Sequence, residues 1–418
     1  MATTSTDRIL SLDVIRGIAV MGIFSVNVAG MAMIEQAYFY PPAYGFESLG
    51  DRIMWAGNFL IVDGRFRSLF SILFGASMVL VIDRAVAAGR MGWQVHDPRM
   101  IVLLLFGLMH YYLFWWGDIL ANYALVGMIA YVFWRLRTRW LLVASLVSLS
   151  LLYVPAIVDS IGQLTAPQAE ENAPAEGDEA EPSAEEQLAL DIAEDKRGHE
   201  SLAAHFAFVA EHNPWRPFLS VRNYGLETLG LILLGMAGYR SGFLTASWRR
   251  GRYVQVAAAT LIPAFAYYGF VTAQTLRTDF AEELYWPWAW GLPTYLHPMA
   301  AMGYAAVIIL VVVRPGPVAD RLAAVGRAAF TNYLGATLIG TVLFYGFGFG
   351  LYGDLSRGEA WLIVPVVWAA MLLWSKWWLD RYRYGPFEWA WRCLARWKRE
   401  PIRRVSAPPT PAPELPTA

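Results

Sequence analysis

The chain has 418 residues, of which 57% are hydrophobic and only 16% charged, with 19 tryptophans and a formal net charge of −1. Apolar runs of about twenty residues recur from end to end, which excludes an ordinary soluble domain and predicts repeated membrane spans. One cysteine, Cys393, and six scattered histidines exclude a disulfide framework and any Cys/His metal spacing.

The first apolar stretch, RILSLDVIRGIAVMGIFSVN (8–27), has no secretory cleavage pattern after it and reads as a retained span. It carries Asp13, Arg16 and Asn27. Ionisable groups in hydrocarbon cost about 2.5–3.5 kcal/mol each, so they face a cavity or a partner. Asp13 and Arg16 are three apart and neighbours on a helix. Arg16 and Asn27 are eleven apart, so they share a face, roughly 16 Å apart along the axis. Gly17, Ala19, Gly22 and Ser25 keep this helix slim. An interfacial Asp13–Arg16 ion pair with no further role is the plain alternative.

The second span opens DGRFRSLFSILFG (63–75). Arg65 and Arg67 enter from the outer side, against the positive-inside bias. They point either to an anionic ligand or structural acid, or to outer headgroups. The third span and its hairpin read RMIVLLLFGLMHYYLFWWGDILANYAL (99–125), with His110, Asp118, Asn122 and Tyr123. A histidine titrates near neutrality and a carboxylate orients it. On a straight helix His110 and Asp118 would stand about 12 Å apart. Contact requires a helix break at Gly117. The dull alternative is a buried histidine bonded to a backbone carbonyl. Thr331, Asn332 and Tyr333 open the ninth span, level with Asp13 and Arg16, and either bind a cytoplasmic cofactor or glue helices together. His297 starts the eighth span beside Pro298.

Ten spans are predicted, near 14–34, 66–84, 100–117, 119–134, 140–158, 222–240, 253–273, 296–313, 328–349 and 360–379. Basic residues cluster in the alternate loops (Arg84, Arg90 and Arg99; Arg135, Arg137 and Arg139; Arg240 to Arg252; Arg314 to Arg327) and in the C-terminal segment. With ten spans these loops and both termini lie on the cytoplasmic side. The expected fold is therefore an all-α polytopic membrane bundle of two five-span halves, residues 1–158 and 216–384. Between them, residues 159–215 form an acidic extracytoplasmic loop, too poor in aromatics to fold alone except for a short helix near 184–211. Residues 278–293 (TDFAEELYWPWAWGLP) suggest an interfacial element on the bundle mouth. The tail, 385–418, begins with the amphipathic basic stretch GPFEWAWRCLARWKR, suited to the cytoplasmic leaflet. Its last dozen residues are Pro-rich and expected to be disordered. No internal repeat is evident.

Five stretches in order carry a resemblance: RILSLDVIRGIAVMGIFSVN, FRSLFSILFGAS, GLMHYYLFWWGDILANYALVG, FTNYLGATLIGTVLFYGFGFGLYG and WWLDRYRYGPFEWAWRCL. Together they resemble the YeiB family of bacterial inner-membrane proteins, over nearly the whole chain except the acidic loop and the tail. That family is similar to a wider group of transmembrane acyltransferases, including polysaccharide O-acetyltransferases and the lysosomal heparan-α-glucosaminide N-acetyltransferase. The resemblance implies transfer of an acyl group from cytoplasmic acyl-CoA, such as acetyl-CoA, to an acceptor on the far side. The polysaccharide enzymes place an arginine and a histidine eleven apart on the first span. Here these positions hold Arg16 and Asn27. The lysosomal enzyme has asparagine there and a histidine in the following loop, but residues 35–65 contain none. His110 is the deep intramembrane substitute.

Two functions follow as expectations. As an acyltransferase, the protein would use His110, Asp118 and Asn27 for the chemistry and Asp13, Arg16, Asn332 and Tyr333 for the acyl-CoA. Arg65, Arg67 and Asn122 would hold an anionic acceptor. As a transporter of a small molecule or lipid, it would use the same residues as a route, with His110 and Asp118 as a proton relay. Expected partners are membrane lipid and a small-molecule or glycan acceptor. A homodimer stays open, and neither a metal nor nucleic acid is expected.

Overall fold

The computed structural model describes residues 9–165 and 184–404. Among these the chain is helical throughout, and the single β-bridge joins Tyr382 to Arg403. The core of the acidic loop and the extreme C-terminus, for which disorder was expected, lie outside the described residues.

The first span is α1 (Leu10–Ala32), followed by the short α2 (Glu35–Phe39). Then come α3 (Leu49–Ile61), α4 (Arg65–Ala87), α5 (Trp93–Leu113), α6 (Leu120–Ala130) and α7 (Thr138–Thr165). The lobe between the halves contains α8 (Ala184–Gly198) and α9 (Leu202–His212). The second half holds α10 (Arg216–Arg240), α11 (Arg250–Arg277), α12 (Glu282–Tyr285), α13 (Leu296–Val311), α14 (Pro317–Arg327) and α15 (Ala329–Phe344). It closes with α16 (Arg357–Trp361), α17 (Ile363–Arg381) and α18 (Pro386–Arg396).

Every predicted span falls on one of these helices. Among the described residues, five helical stretches are long and apolar enough to cross a bilayer: α1, α3 with α4, α7, α11, and α16 with α17. A π-helical turn at Trp286–Gly291 joins α12 to α13, with a 51° bend between that segment and α13. If these two segments count as one span, it is a sixth. The aromatic segment 278–293 supplies this bend. Two further apolar helices, Leu120–Phe133 and Ala329–Phe344, are shorter.

Burial separates the spans into two kinds. In α1, 67% of the apolar window is buried, against 22% in α11 and 28% in α7. The outer helices instead expose Leu146, Leu151, Ile262, Phe270, Val366 and Leu373. In water such faces would be costly, and in hydrocarbon they are the natural contact. The central position of α1 depends on small residues. A Cβ on Gly17 would stand 2.1 Å from the Leu322 carbonyl oxygen, and one on Gly326 would stand 1.8 Å from that of Asp13. Helices α1 and α14 therefore cross backbone to backbone, which only glycine permits.

The two ends of the bundle differ in charge. At the end where α1 begins, Ser11 Oγ donates to Leu244 O at 2.7 Å, Arg240 donates to Trp134 and Leu136 carbonyls, and Trp391 Nε1 donates to Arg99 O at 2.8 Å. These bonds gather the arginine-rich loops on one side, called the basic end below. At the opposite end Arg216 grips Glu35 and Tyr352 Oη donates to Asp195, so the α8–α9 lobe sits on the mouth of the bundle.

Candidate functional site: two cavities meeting inside the bundle

The bundle encloses an outer cavity of about 600 Å³ and a basic-end cavity of about 370 Å³. Ile23, Ile119, Tyr123 and Tyr333 line both, so these four side chains are the wall between them.

The basic-end cavity is lined by six arginines (Arg16, Arg84, Arg99, Arg327, Arg383 and Arg392) against two carboxylates, Asp13 and Glu388. Arg16 forms an ion pair with Asp13 at 3.2 Å and donates to Ser77 Oγ at 2.6 Å and Gly326 O at 3.4 Å. Glu388 is committed elsewhere. Its Oε1 accepts the backbone N–H groups of Phe330 and Thr331, and its Oε2 accepts the Thr331 hydroxyl. That carboxylate caps the first turn of α15, where unpaired N–H groups favour an anion. Burial pushes the Glu388 carboxyl up, while these donors act the other way. The tail helix α18 is thereby docked on the bundle as one wall of the cavity.

Of the paired site residues, His110 and Asp118 come together. Helix α5 ends at Leu113, and the loop through Gly117 turns back so that His110 Nδ1 lies 2.9 Å from Asp118 Oδ1. Asp118 Oδ2 accepts the Ala121 N–H at 2.9 Å, starting α6. His110 Nε2 lies 3.0 Å from Thr337 Oγ1 on α15. A carboxylate only accepts, so Nδ1–H donates to Asp118, while the Thr337 hydroxyl lies between Nε2 and Tyr333 O, the latter at 3.4 Å. Both side chains are about 2% exposed or less, yet only Asp118 lines a cavity, the outer one. The order expected from the sequence is thus reversed. The carboxylate faces the cavity and the imidazole stands behind it.

Asn27 lines the outer cavity, while Arg16, on the same helix, lines the other. Their shared face therefore runs past the four-residue wall. Asn122 lines the outer cavity and donates to Ser220 Oγ at 3.4 Å. Tyr333 sits in the wall, its ring centre 5.3 Å from that of His110.

Three expected binders take other roles. Asn332 lines neither cavity. Its Nδ2 donates to Val325 O at 3.0 Å and Ser375 Oγ at 3.1 Å, and its Oδ1 accepts from Trp374 Nε1 at 2.9 Å, which ties α14, α15 and α17 together. Arg65 also lines neither cavity. It donates to Phe59 O at 2.6 Å and to Asp63 O, with its guanidinium 3.5 Å from the centre of the Tyr268 ring. Arg67 lines the outer cavity but is held bidentate by Glu227, at 2.9 and 3.0 Å, and Tyr153 Oη donates to the same carboxylate at 2.9 Å. Arg67 has found a structural acid. Glu227 is the partner that sequence reading missed, although an acid within the span at 222–240 was signal enough. Arg216, Asp63 and Arg357, all lining the outer cavity, were also missed. Among the described residues no group of three or more His, Cys, Asp or Glu side chains is placed to hold a metal.

A bundle of apolar helices with lipid-facing exteriors and polar chambers inside defines a polytopic helical membrane protein. A family described as "Protein of unknown function (DUF418)" matches residues 238–398. The chain is 31% identical to "Uncharacterized protein YeiB" of Escherichia coli (strain K12), covering 93% of this chain and 96% of that one. It is 29% identical to "Uncharacterized protein YxaH" of Bacillus subtilis (strain 168), over 96% and 98% of the two chains. It therefore belongs to the YeiB family. No solved structure matches it.

Proposed function

We propose that this protein is an acyltransferase of the bacterial inner membrane that moves an acyl group from acyl-CoA in the basic-end cavity to a hydroxyl or amine acceptor in the outer one. The reading rests on one observation: two chambers of different charge share a thin wall, and the buried His110–Asp118 pair stands beside it. The positive-inside bias places the basic end in the cytoplasm. There Arg383, Arg392 and Arg99 meet the phosphates of the donor, and its thiol arm runs up to Tyr333 and Tyr123. The Asp118 carboxylate takes the proton as the acceptor oxygen or nitrogen attacks the thioester carbonyl carbon. The carbon–sulfur bond breaks, the thiolate leaves as CoA, and it receives the proton. His110 holds the carboxylate in place through Nδ1–H. The Asn27 amide, which lines the outer cavity, donates to the oxyanion that develops.

The test is direct. Full-length protein in lipid nanodiscs is expected to bind radiolabelled acetyl-CoA and to release CoA slowly by hydrolysis. Asp118→Asn abolishes release and leaves acetyl-CoA binding intact. The same wall also suits a transporter, since a closed partition between two chambers is what alternating access requires. Solute flux in proteoliposomes that depends on His110, with no binding of acyl-CoA, would decide for transport.

A further inference from the structure

The outer cavity carries more information than its place in that reaction. Its lining holds three arginines, Arg67, Arg216 and Arg357, and three carboxylates, Asp63, Asp118 and Glu227. Two of the arginines are neutralised by their own partners. Arg67 is bidentate on Glu227, and Arg216 is bidentate on Glu35 at 2.7 and 2.5 Å with its guanidinium 4.7 Å from the centre of the Trp116 ring. Arg357 donates through Nη2 to Ala37 O. What remains unmet is mostly acceptor capacity. Among the described residues, five buried atoms of the lining have no hydrogen-bond partner: Asp63 Oδ1 and Asn122 Oδ1, which accept only, the hydroxyls of Thr294 and Tyr333, which accept or donate, and one atom that only donates, Arg357 Nε. Buried polar atoms without partners are costly, so a site that keeps them is one in which a ligand completes them. Asp63 is set by the α3–α4 turn, where Gly64 adopts φ 72° with the His297 ring packed against it. Around these atoms Trp116, Trp286 and Trp290 supply aromatic faces. The volume lies within the roughly 300–1,000 Å³ of small-molecule sites.

We propose that the outer cavity binds a neutral or cationic ligand rich in hydroxyl or amino groups, anchored by Asp63, and discriminates against anions. An anion would find Arg67 and Arg216 already closed and would meet the carboxylates of Asp63 and Asp118. Hydroxyl or amino hydrogens satisfy the unmet oxygens, and the tryptophans cover the C–H faces of a ring. In acyl transfer this ligand is the acceptor, so that role rests on the reading above. The binding does not.

Three probes of one size and different charge test it: methyl glucoside, glucosamine and glucuronate, each titrated against tryptophan fluorescence of the full-length protein in nanodiscs. Glucosamine and methyl glucoside bind, and glucuronate binds at least about tenfold more weakly. Asp63→Asn removes the advantage of glucosamine over methyl glucoside, and Asp63→Ala weakens both. Acetyl-CoA binding, measured on the same variants, stays unchanged and reports that the fold is intact. Glucuronate binding as tightly as the others, an unchanged order in Asp63→Asn, or failure of all three probes to bind overturns the proposal. Sugar binding without any acetyl-CoA binding would keep it and discard acyl transfer instead.

Discussion

The two cavities share four side chains and little else. At the basic end six arginines meet two carboxylates, one of them used up as a helix cap. At the outer end the lining charges balance, three against three, and two of the arginines are closed by bidentate carboxylates. The difference concerns what each chamber still lacks. An excess of guanidinium over carboxylate in the lining favours an anion, whose oxygens match the planar guanidinium fork. A balanced chamber with unmet oxygen atoms asks for hydrogen-bond donors. On this reading the basic-end chamber would favour an anionic ligand and the outer one a neutral or cationic ligand, on opposite sides of one wall.

The largest effect is expected beside the wall, at the His110–Asp118 pair. His110→Ala removes the donor that orients Asp118. Acyl transfer should fall by roughly 10²–10⁴-fold, the usual span for a general acid–base pair, while acetyl-CoA still binds. A variant that keeps full turnover would show that the pair is only a strut between α5 and α15.

The next effect tests whether the outer chamber's ion pairs are scaffold. Arg67→Leu leaves Glu227 buried with half its partners gone, and loss of one member of such a pair costs about 3–5 kcal/mol. Adding Glu227→Leu should recover most of that stability, as read from the thermal unfolding midpoint of the nanodisc-held protein. If Arg67 were instead a ligand clamp, the single variant would stay stable and lose only binding.

The path from sequence to these two chambers was uneven. The all-helical, membrane-spanning character was legible because a span must satisfy its backbone internally and present lipid with about twenty apolar residues. Helix α3 was not, because Asp51, Arg52 and Asn58 interrupt its apolarity. The structure uses two of them inward: Asp51 accepts the Gly358 N–H at 2.7 Å and Asn58 donates to Ser25 O at 3.0 Å. His110 and Asp118 could be named from the ordinary cost of polar groups in hydrocarbon. Which of them faces the cavity depends on the path of the loop after Leu113, and no periodicity records that path. Arg67 and Glu227 lie 160 residues apart, so their pairing is a product of how α4 and α10 pack. The anionic acceptor expected from Arg65 and Arg67 rested on seeing the cations without their partners.

A smaller effect is expected at the basic end. Arg392→Ala removes one cation from an excess, so acetyl-CoA affinity should drop by about tenfold, the worth of one charge-assisted hydrogen bond. The loss should shrink as salt rises, because the chamber opens near the surface and is screened. Binding of methyl glucoside in the outer cavity should not move. A parallel loss at both cavities would mean that α18 holds the whole bundle together and that the chambers are not separable.

The smallest effect concerns the lobe on the outer mouth and has a pH signature that the basic end lacks. Tyr111, which lines the outer cavity, donates to Asn213 O at 2.7 Å, so α9 is tied to that chamber. Within the lobe His199 stacks on Tyr352 at 4.2 Å and lies 5.3 Å from His205, ring centre to ring centre. Burial pushes His199 down to about 4, and burial together with the neighbouring His199 pushes His205 down to about 3. Burial pushes Asp195, which accepts from Tyr352 Oη at 2.5 Å, up to about 6. The unfolded lobe binds more protons at the two imidazoles below pH 6.5 than the folded one, so their contribution to stability is lost as the pH falls through that value. Asp195 acts in the opposite sense as the pH falls through about 6. The exposed His212–Glu194 pair, at 2.8 Å, gains as His212 charges and is worth little at the surface. Two buried imidazoles against one carboxyl leave a net loss on the order of 1 kcal/mol between pH 7.5 and 6. Hydrogen exchange, corrected for the intrinsic pH dependence of the amides, should show α8 and α9 losing protection over this range while α14 and α18 at the basic end hold theirs. His205→Phe should flatten the response. Equal loss at both ends would mean that acid loosens the bundle as a whole and that the lobe is no separate acid-labile cover.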